Sequence, residues 1–315
     1  MLLSTFHIAS SPPGQSTHDV LSQTIAEIEA AEALGFHTAW LTEHHGSAYG
    51  VSSSPTLLAA AIAARTQSIR IGFAVNVIPL HQPFRLAEEI ALVDHLSQGR
   101  VIAGFGSGYS PVEYELYGAD FQNRRTAHQE GLRRIIDFWT QDSSAAKPFQ
   151  RPHPSVAITA SSPGSIKTAA RAGHRLLLLG PLPQVRERID LYRRTLEESG
   201  HSAAVKESLS SSIGLLRHIG IGTDEASIRG HVREATRWHL NERDVLAGDA
   251  PRTLDDDAID TYLADTALIG TADEVRRAIA HLSEAGVGEI LGYFKWGTLT
   301  HQDALETMRR LSDGE

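Results

Sequence analysis

Strand-like and helix-like stretches alternate along nearly the whole chain, and no other feature restricts its fold as much. Short apolar runs at residues 2–9, 39–41, 69–78, 100–105, 156–159, 175–179, 211–221 and 289–294 read as strands. Between them apolar residues recur at helical spacing, as at Val20, Ile25, Ile28 and Ala31. Gly35 and Gly99 close helices, and Pro55 opens one. Strands that each lead into a helix build a parallel sheet covered by helices. Eight such units are the count of a (β/α)8 (TIM) barrel, an α/β fold large enough to take residues 1–315 as a single domain. The beat stretches twice. After the fourth strand comes a loop with a short helical piece at 110–121, and after the seventh comes an acidic insertion at 241–265 punctuated by glycine and proline.

Composition removes several classes of function. The net charge is −9 and no long run of Lys or Arg occurs, which argues against nucleic acid as the main partner. The chain has no cysteine, so disulfides, thiolate zinc sites, Fe–S clusters and a Cys nucleophile are excluded. No apolar stretch is long enough to cross a bilayer, and the amino terminus lacks the basic and apolar regions of a signal peptide. A cytoplasmic protein is expected.

Chemistry in such barrels gathers at the C-terminal ends of the strands. That places His44, Asn76, Ser107 and Ser161 on one rim despite their separation in sequence. Glu43-His44-His45 follows the second strand, and two imidazoles with a carboxylate suit proton transfer. Consecutive strand residues point to opposite sides, so one of the two histidines faces a central pocket, and His44 is expected to be that one. Taken alone, the pair also fits a polar loop in a chain of 16 histidines. Adjacent strand-end histidines do not readily share one metal, and no metal is expected.

Gly104-x-Gly106-x-Gly108 runs straight into Tyr109-Ser110-Pro111, so it lacks the helix start of a dinucleotide fingerprint. It reads as a glycine turn, or as bare backbone that a flat ligand can approach. Ser161-Ser162-Pro163-Gly164-Ser165 opens a helix. Its hydroxyls and free N–H groups suit an anion such as phosphate, although ordinary N-capping accounts for the serines as well.

Taken together, Leu41-Thr-Glu-His-His45, Ile71-Gly-Phe-Ala-Val-Asn-Val-Ile-Pro79, Ala87-Glu-Glu-Ile-Ala-Leu-Val-Asp94, Leu96-Ser-Gln-Gly-Arg100, Gly104-Phe-Gly-Ser-Gly-Tyr109, Glu113-Tyr-Glu-Leu-Tyr-Gly118 and Leu268-Ile-Gly-Thr271 carry a likeness. In this order and spacing the chain resembles the bacterial luciferase-like flavin monooxygenases from end to end. The resemblance implies a (β/α)8 barrel and a reduced FMN, supplied by a separate flavin reductase. It further implies that O2 forms a C4a-hydroperoxyflavin that oxygenates a small organic substrate. His44 falls on the family's catalytic histidine. Ala74 and Val75 fall on its non-prolyl cis peptide, which cradles the isoalloxazine, with Asn76 next to it. Ser161, Ser162, Gly164 and Ser165 fall on the phosphate-binding turn. Gly106 stands where the luciferases place a reactive cysteine, Ser107 where they hold phosphate with an arginine, and Ser161 where they have an acidic residue. Light emission is therefore not implied. Members using deazaflavin F420 for hydride transfer, and non-catalytic flavin-binding relatives, share the pattern. A homodimer through the helices at 55–66 and 84–96, and closure of 241–265 over the pocket, complete the expectations.

Overall fold

The computed structural model describes residues 1–141 and 147–313. Its strands are β1 (Leu2–His7), β2 (Thr38–Leu41), β3 (Arg70–Phe73), β4 (Asn76–Val77), β5 (Val101–Gly106), β6 (Ser155–Thr159), β7 (Arg175–Leu178), β8 (Gly214–Ile221), β9 (Ala267–Gly270) and β10 (Glu289–Tyr293). Around them lie α1 (Thr17–Ala33), α2 (Pro55–Arg65), α3 (Pro83–Leu96), α4 (Pro111–Leu116), α5 (Arg124–Thr140) and α6 (Pro163–Ala172). They are followed by α7 (Leu182–Glu197), α8 (Ala203–Ser210), α9 (Glu225–Leu246), α10 (Asp256–Thr266), α11 (Ala272–Glu284) and α12 (His301–Ser312). The strands run parallel in the order β1-β2-β3-β5-β6-β7-β8, and β10 closes the ring by pairing with both β1 and β8. This is the (β/α)8 barrel that the alternation predicts, with insertions after the fourth and seventh barrel strands.

Alternation along each strand sorts side chains into two cores. Phe6, Trp40, Ile102, Ala157, Leu177 and Leu291 fill the barrel, while Leu41, Phe73, Phe105, Leu215 and Ile290 face the helices. Each fully buried side chain of this size contributes about 1.5–3 kcal/mol relative to exposure. Trp40 fills the centre so completely that a Cβ on Gly72 would lie 2.4 Å from its ring. At the floor, the buried carboxylate of Glu289 accepts from Ser4 Oγ (2.6 Å), Trp40 Nε1 (2.9 Å) and Arg175 Nη2 (2.5 Å). A buried charge is tolerated because it is paired and hydrogen-bonded in this way.

Two expectations need correction. The strand read at 69–78 is broken. Gly72 pairs with Ile102, but Asn76 pairs with Phe105, so four steps on one strand oppose three on the other. That is a one-residue bulge, and the Ala74–Val75 peptide inside it is cis. The glycines at 104, 106 and 108, at the end of β5 and just beyond it, meet the bulged strand at every second residue. A Cβ on Gly104 would lie 1.5 Å from the Phe73 carbonyl oxygen, one on Gly106 2.6 Å from Val75 Cγ2, and one on Gly108 2.8 Å from Val77 Cγ1. Close approach of the neighbouring strand accounts for the glycines at 104 and 106.

Residues 241–265 are more helical than the acidic, glycine- and proline-punctuated insertion expected there. Helix α9 continues to Leu246, and Asp255 caps α10 by accepting the Ala258 N–H at 2.8 Å. The run Asp255-Asp256-Asp257 is therefore a helix start, where negative charge is favoured. Arg233 binds Asp260, and Arg237 binds Asp256 at 2.6 Å, clamping α10 onto α9. Helix α8 and strand β9, which pairs with β8 beside the ring, are further elements that the apolar pattern did not reveal.

Candidate functional site

At the C-terminal end of β2 the alternation of the strand continues through the loop. Trp40 lies inside the barrel, and His44, four residues on, also turns inward. Its ring stands edge-on to Tyr49 (4.9 Å between centroids) and Tyr109 (6.1 Å). Glu43 and His45 turn the other way, as the sequence expects of neighbours. Oε1 of Glu113 lies 3.1 Å from His44 Nδ1 and accepts the His45 backbone N–H at 2.9 Å.

Glu43 is buried and fully occupied. It receives His45 Nε2 at 2.8 Å, His81 Nε2 at 2.8 Å and the Val77 N–H at 2.8 Å. With His45 Nε2 donating to Glu43, its Nδ1 accepts the Tyr117 hydroxyl at 2.9 Å. Burial alone would raise the Glu43 carboxyl. Hydrogen bonds from His45 and His81, the His81 charge and the Val77 N–H outweigh it and hold the group below the ordinary carboxylate range. Burial would likewise lower His81, but the hydrogen bond and charge of Glu43, assisted by Glu89, raise it. Through Val77 this network fixes the end of the bulge.

The bulge carries Ala74, Val75 and Asn76 to the same rim. Asn76 is fully buried, and neither its amide oxygen nor its amide nitrogen has a hydrogen-bond partner among the described residues. A buried amide is rarely left so, because desolvation without a partner costs about 1–3 kcal/mol.

Across the mouth stands a different wall. His239 from α9 packs on Tyr49 (5.0 Å), and His218 from β8 packs on His239 (5.4 Å), Tyr293 (5.3 Å) and Trp296 (5.1 Å). Burial drives His218 down to about 3, helped by Arg217 and Arg243 and opposed by the Thr266 carbonyl, which faces the ring without reaching hydrogen-bond geometry. Burial, with His218 and Arg243, pushes His239 well below its ordinary value too. Both imidazoles are neutral.

The phosphate-type turn follows β6, whose strand neighbours β5. Ser162 caps α6 by accepting the Ser165 N–H at 3.2 Å, and its Oγ lies 2.9 Å from Ser165 Oγ. Ser161, Ser162 and Gly164 are exposed, and space is open around Gly164. Ser107, half-buried at the end of β5, accepts the Tyr114 hydroxyl on its carbonyl at 2.7 Å. A cleft of about 260 Å3 at Gly222, His231 and Arg310 lies between β8 and α12 and is lined by none of these residues. Among the described residues no group of three or more His, Asp or Glu side chains is arranged to hold a metal, and no helix is long and apolar enough to cross a membrane.

Sequence reading thus found the rim and the inward histidine but not what surrounds it. Glu113, Tyr49, Tyr109, His218 and His239 went unassigned. A signal for Glu113 was present, since Ser110-Pro111-x-Glu113 has capping-box spacing. His239 lies on the buried stripe Val232, Ala235, Thr236, His239 and Leu240 of α9, at helical intervals.

Known proteins share this architecture. The chain is 32% identical over 301 residues to the uncharacterized protein y4wF of Sinorhizobium fredii, covering 89% of this chain and 86% of that one. The crystal structure of monooxygenase RslO1 from Streptomyces bottropensis superposes with a TM-score of 0.89 at 25% identity, covering 99% of this chain and 98% of that one. The oxygenating constituent of 3,6-diketocamphane monooxygenase from Pseudomonas putida, a type II Baeyer-Villiger monooxygenase solved with FMN, shares the fold at a TM-score of 0.80 and 18% identity over 99% and 97% of the two chains. The model of the luciferase-like monooxygenases matches residues 1–289, and this chain belongs to that family.

Proposed function

We propose that the chain is a flavin-dependent monooxygenase that takes reduced FMN from a separate flavin reductase and uses O2 to oxygenate a small organic substrate. The observation that carries this reading is Asn76, a fully buried amide with both polar atoms unpaired, set on the bulge that faces the rim. The residues present fit a flavin. Ala74, Val75 and Asn76 offer a bulged backbone and a free amide to a flat heterocycle. Ser161, Ser162, Gly164 and Ser165 offer hydroxyls and helix N–H groups to a phosphate, with Ser107 on the neighbouring strand end. Gly106 contributes by leaving room for Val75.

Held by these residues, a reduced flavin would supply the electrons for O2 activation, the chemistry that adds one oxygen atom to a substrate and releases the other as water. His44 holds or moves a proton through Nε2, the nitrogen that does not face Glu113. The wall of Tyr49, His239, His218, Tyr293 and Trp296 excludes water. Because its imidazoles are neutral, that wall suits an uncharged substrate. One domain carries the whole site. Leu57 on α2, with Phe84, Leu92 and Leu96 on α3, is exposed, and we assign this apolar face to a homodimer contact.

Anaerobic titration with reduced FMN and, separately, reduced F420, each followed by mixing with O2, tests the reading. Reduced FMN is expected to bind and to be reoxidised on the protein. Binding of F420 without reaction with O2 would move the protein to hydride transfer, and binding of neither would sink the cofactor assignment. His44→Ala is expected to keep reduced-FMN affinity while substrate oxygenation falls about 10²–10⁴-fold, the range of general acid–base catalysis.

A further inference from the structure

We propose that Glu113 is a positioning residue that decides which nitrogen of His44 carries hydrogen, and that helix α9 holds Glu113 in place. The inference rests on the reading of His44 as the proton-handling residue.

The carboxylate of Glu113 is buried, and a single oxygen serves two consecutive residues: Oε1 accepts the His45 N–H at 2.9 Å and lies 3.1 Å from His44 Nδ1. A carboxylate can only accept. With that oxygen fixed by the His45 amide, the hydrogen of His44 sits on Nδ1, and Nε2 presents a lone pair to the rim. The partner of one ring nitrogen thereby sets the chemistry of the other. His44 is otherwise held by its backbone, whose N–H donates to the Ser52 carbonyl at 3.2 Å, and by the ring of Tyr49. Neither contact selects a tautomer.

Glu113 is itself placed from outside the rim. It sits in the first turn of α4, and its N–H donates to the Ser110 hydroxyl at 3.0 Å. That hydroxyl donates in turn to the carbonyl of Leu246, the last residue of α9, at 2.5 Å. The same helix brings His239 onto Tyr49, which flanks His44. Helix α9 therefore reaches the histidine by two routes, through a ring contact and through the cap that aims Glu113. A movement of α9 would alter both the packing and the hydrogen-bond partner of His44.

The test needs neither flavin nor substrate. Long-range 15N–1H correlation spectra of the 15N-labelled protein at pH 8 report the tautomer of each histidine, with His44→Gln identifying the signal. In the wild type His44 is expected to show hydrogen on Nδ1. Glu113→Gln, which keeps an acceptor oxygen, is expected to preserve that pattern, and Glu113→Ala to lose it in favour of Nε2–H. Glu113→Asp, drawn back by one methylene, gives a mixture and serves if the alanine variant does not fold. Hydrogen on Nε2 in the wild type, or an unchanged pattern in the Ala variant (in the Asp variant if the Ala variant does not fold), would overturn the positioning role. Ser110→Ala is expected to admit a resolvable fraction of the other tautomer, and a spectrum identical to the wild type would overturn the tie to α9. Reduced FMN added afterwards separates the two ideas. If the tautomer follows Glu113 but FMN does not bind, the cofactor reading fails and the positioning role stands.

Discussion

Imidazoles line both sides of the barrel mouth, yet the two sides hold them in opposite ways. On the β2 side each ring meets a carboxylate: His44 faces Glu113, while His45 and His81 share Glu43. On the β8 and α9 side, His218 and His239 meet aromatic rings, and burial keeps them neutral. His44 and His45 are buried as His218 and His239 are, so for these four the neighbours make the difference. An imidazole buried beside a carboxylate has a defined hydrogen and can pass it on. One buried among rings is a neutral polar surface. Under the proposed function, this division gives proton handling to one wall and contact with an uncharged ligand to the other.

The carboxylate side of the mouth depends most on Glu43. Glu43→Ala leaves the Val77 N–H, His45 and His81 without their common acceptor, and a loss of about 3–5 kcal/mol in unfolding free energy is expected. Urea denaturation measures it, and a loss below about 1 kcal/mol would mean that the bulge does not depend on this carboxylate.

His81→Ala tests the Glu43–His81 pairing through pH. The Glu43 carboxyl is depressed, so its share of stability is present above about pH 4.5 and is lost as pH falls through the folded value. His81 is raised, so its share is complete below about pH 6.5 and is lost as pH rises through the folded value. The difference between wild type and His81→Ala is therefore expected to be greatest between those limits, at about 1–2 kcal/mol, and to shrink above them. Thermal unfolding across pH 4–9 follows it, and a gap that widens towards pH 9 contradicts the pairing.

The smallest effect is expected on the opposite wall. His218→Phe removes two buried nitrogens that lack partners, so stability should stay within about 1 kcal/mol of the wild type. A large loss in calorimetry would show that the ring binds a group that its neighbours do not reveal.

The barrel was legible because eight strands in a parallel sheet, buried on both faces, leave apolar runs that helices separate by regular intervals. The inward turn of His44 followed from the same alternation. The bulge was not legible. Residues 69–78 are apolar without interruption, and only the register against β5 reveals the extra residue. The helix at Asp256–Thr266 was hidden for another reason. An acidic run reads as a solvated loop until Arg233 and Arg237, some 20–30 positions earlier, are seen to neutralise it. Capping spacing predicts a carboxylate that turns back on its own helix, whereas Glu113 reaches across to His44 and His45 in the loop after β2.

The fit between the bulge and the glycines of β5 also governs how the sequence can drift. At position 104 the obstacle is a backbone carbonyl, and no change elsewhere in side chains relieves it. At 108 the φ of +62° strains any side chain, whatever the space, so that glycine is fixed as well. At 106 the obstacle is the side chain of Val75. A methyl group gained on β5 must therefore be matched by one lost on the bulge. Positions 75 and 106 are coupled as alleles are coupled: each single change is penalised, and the double change is the one a descendant can carry.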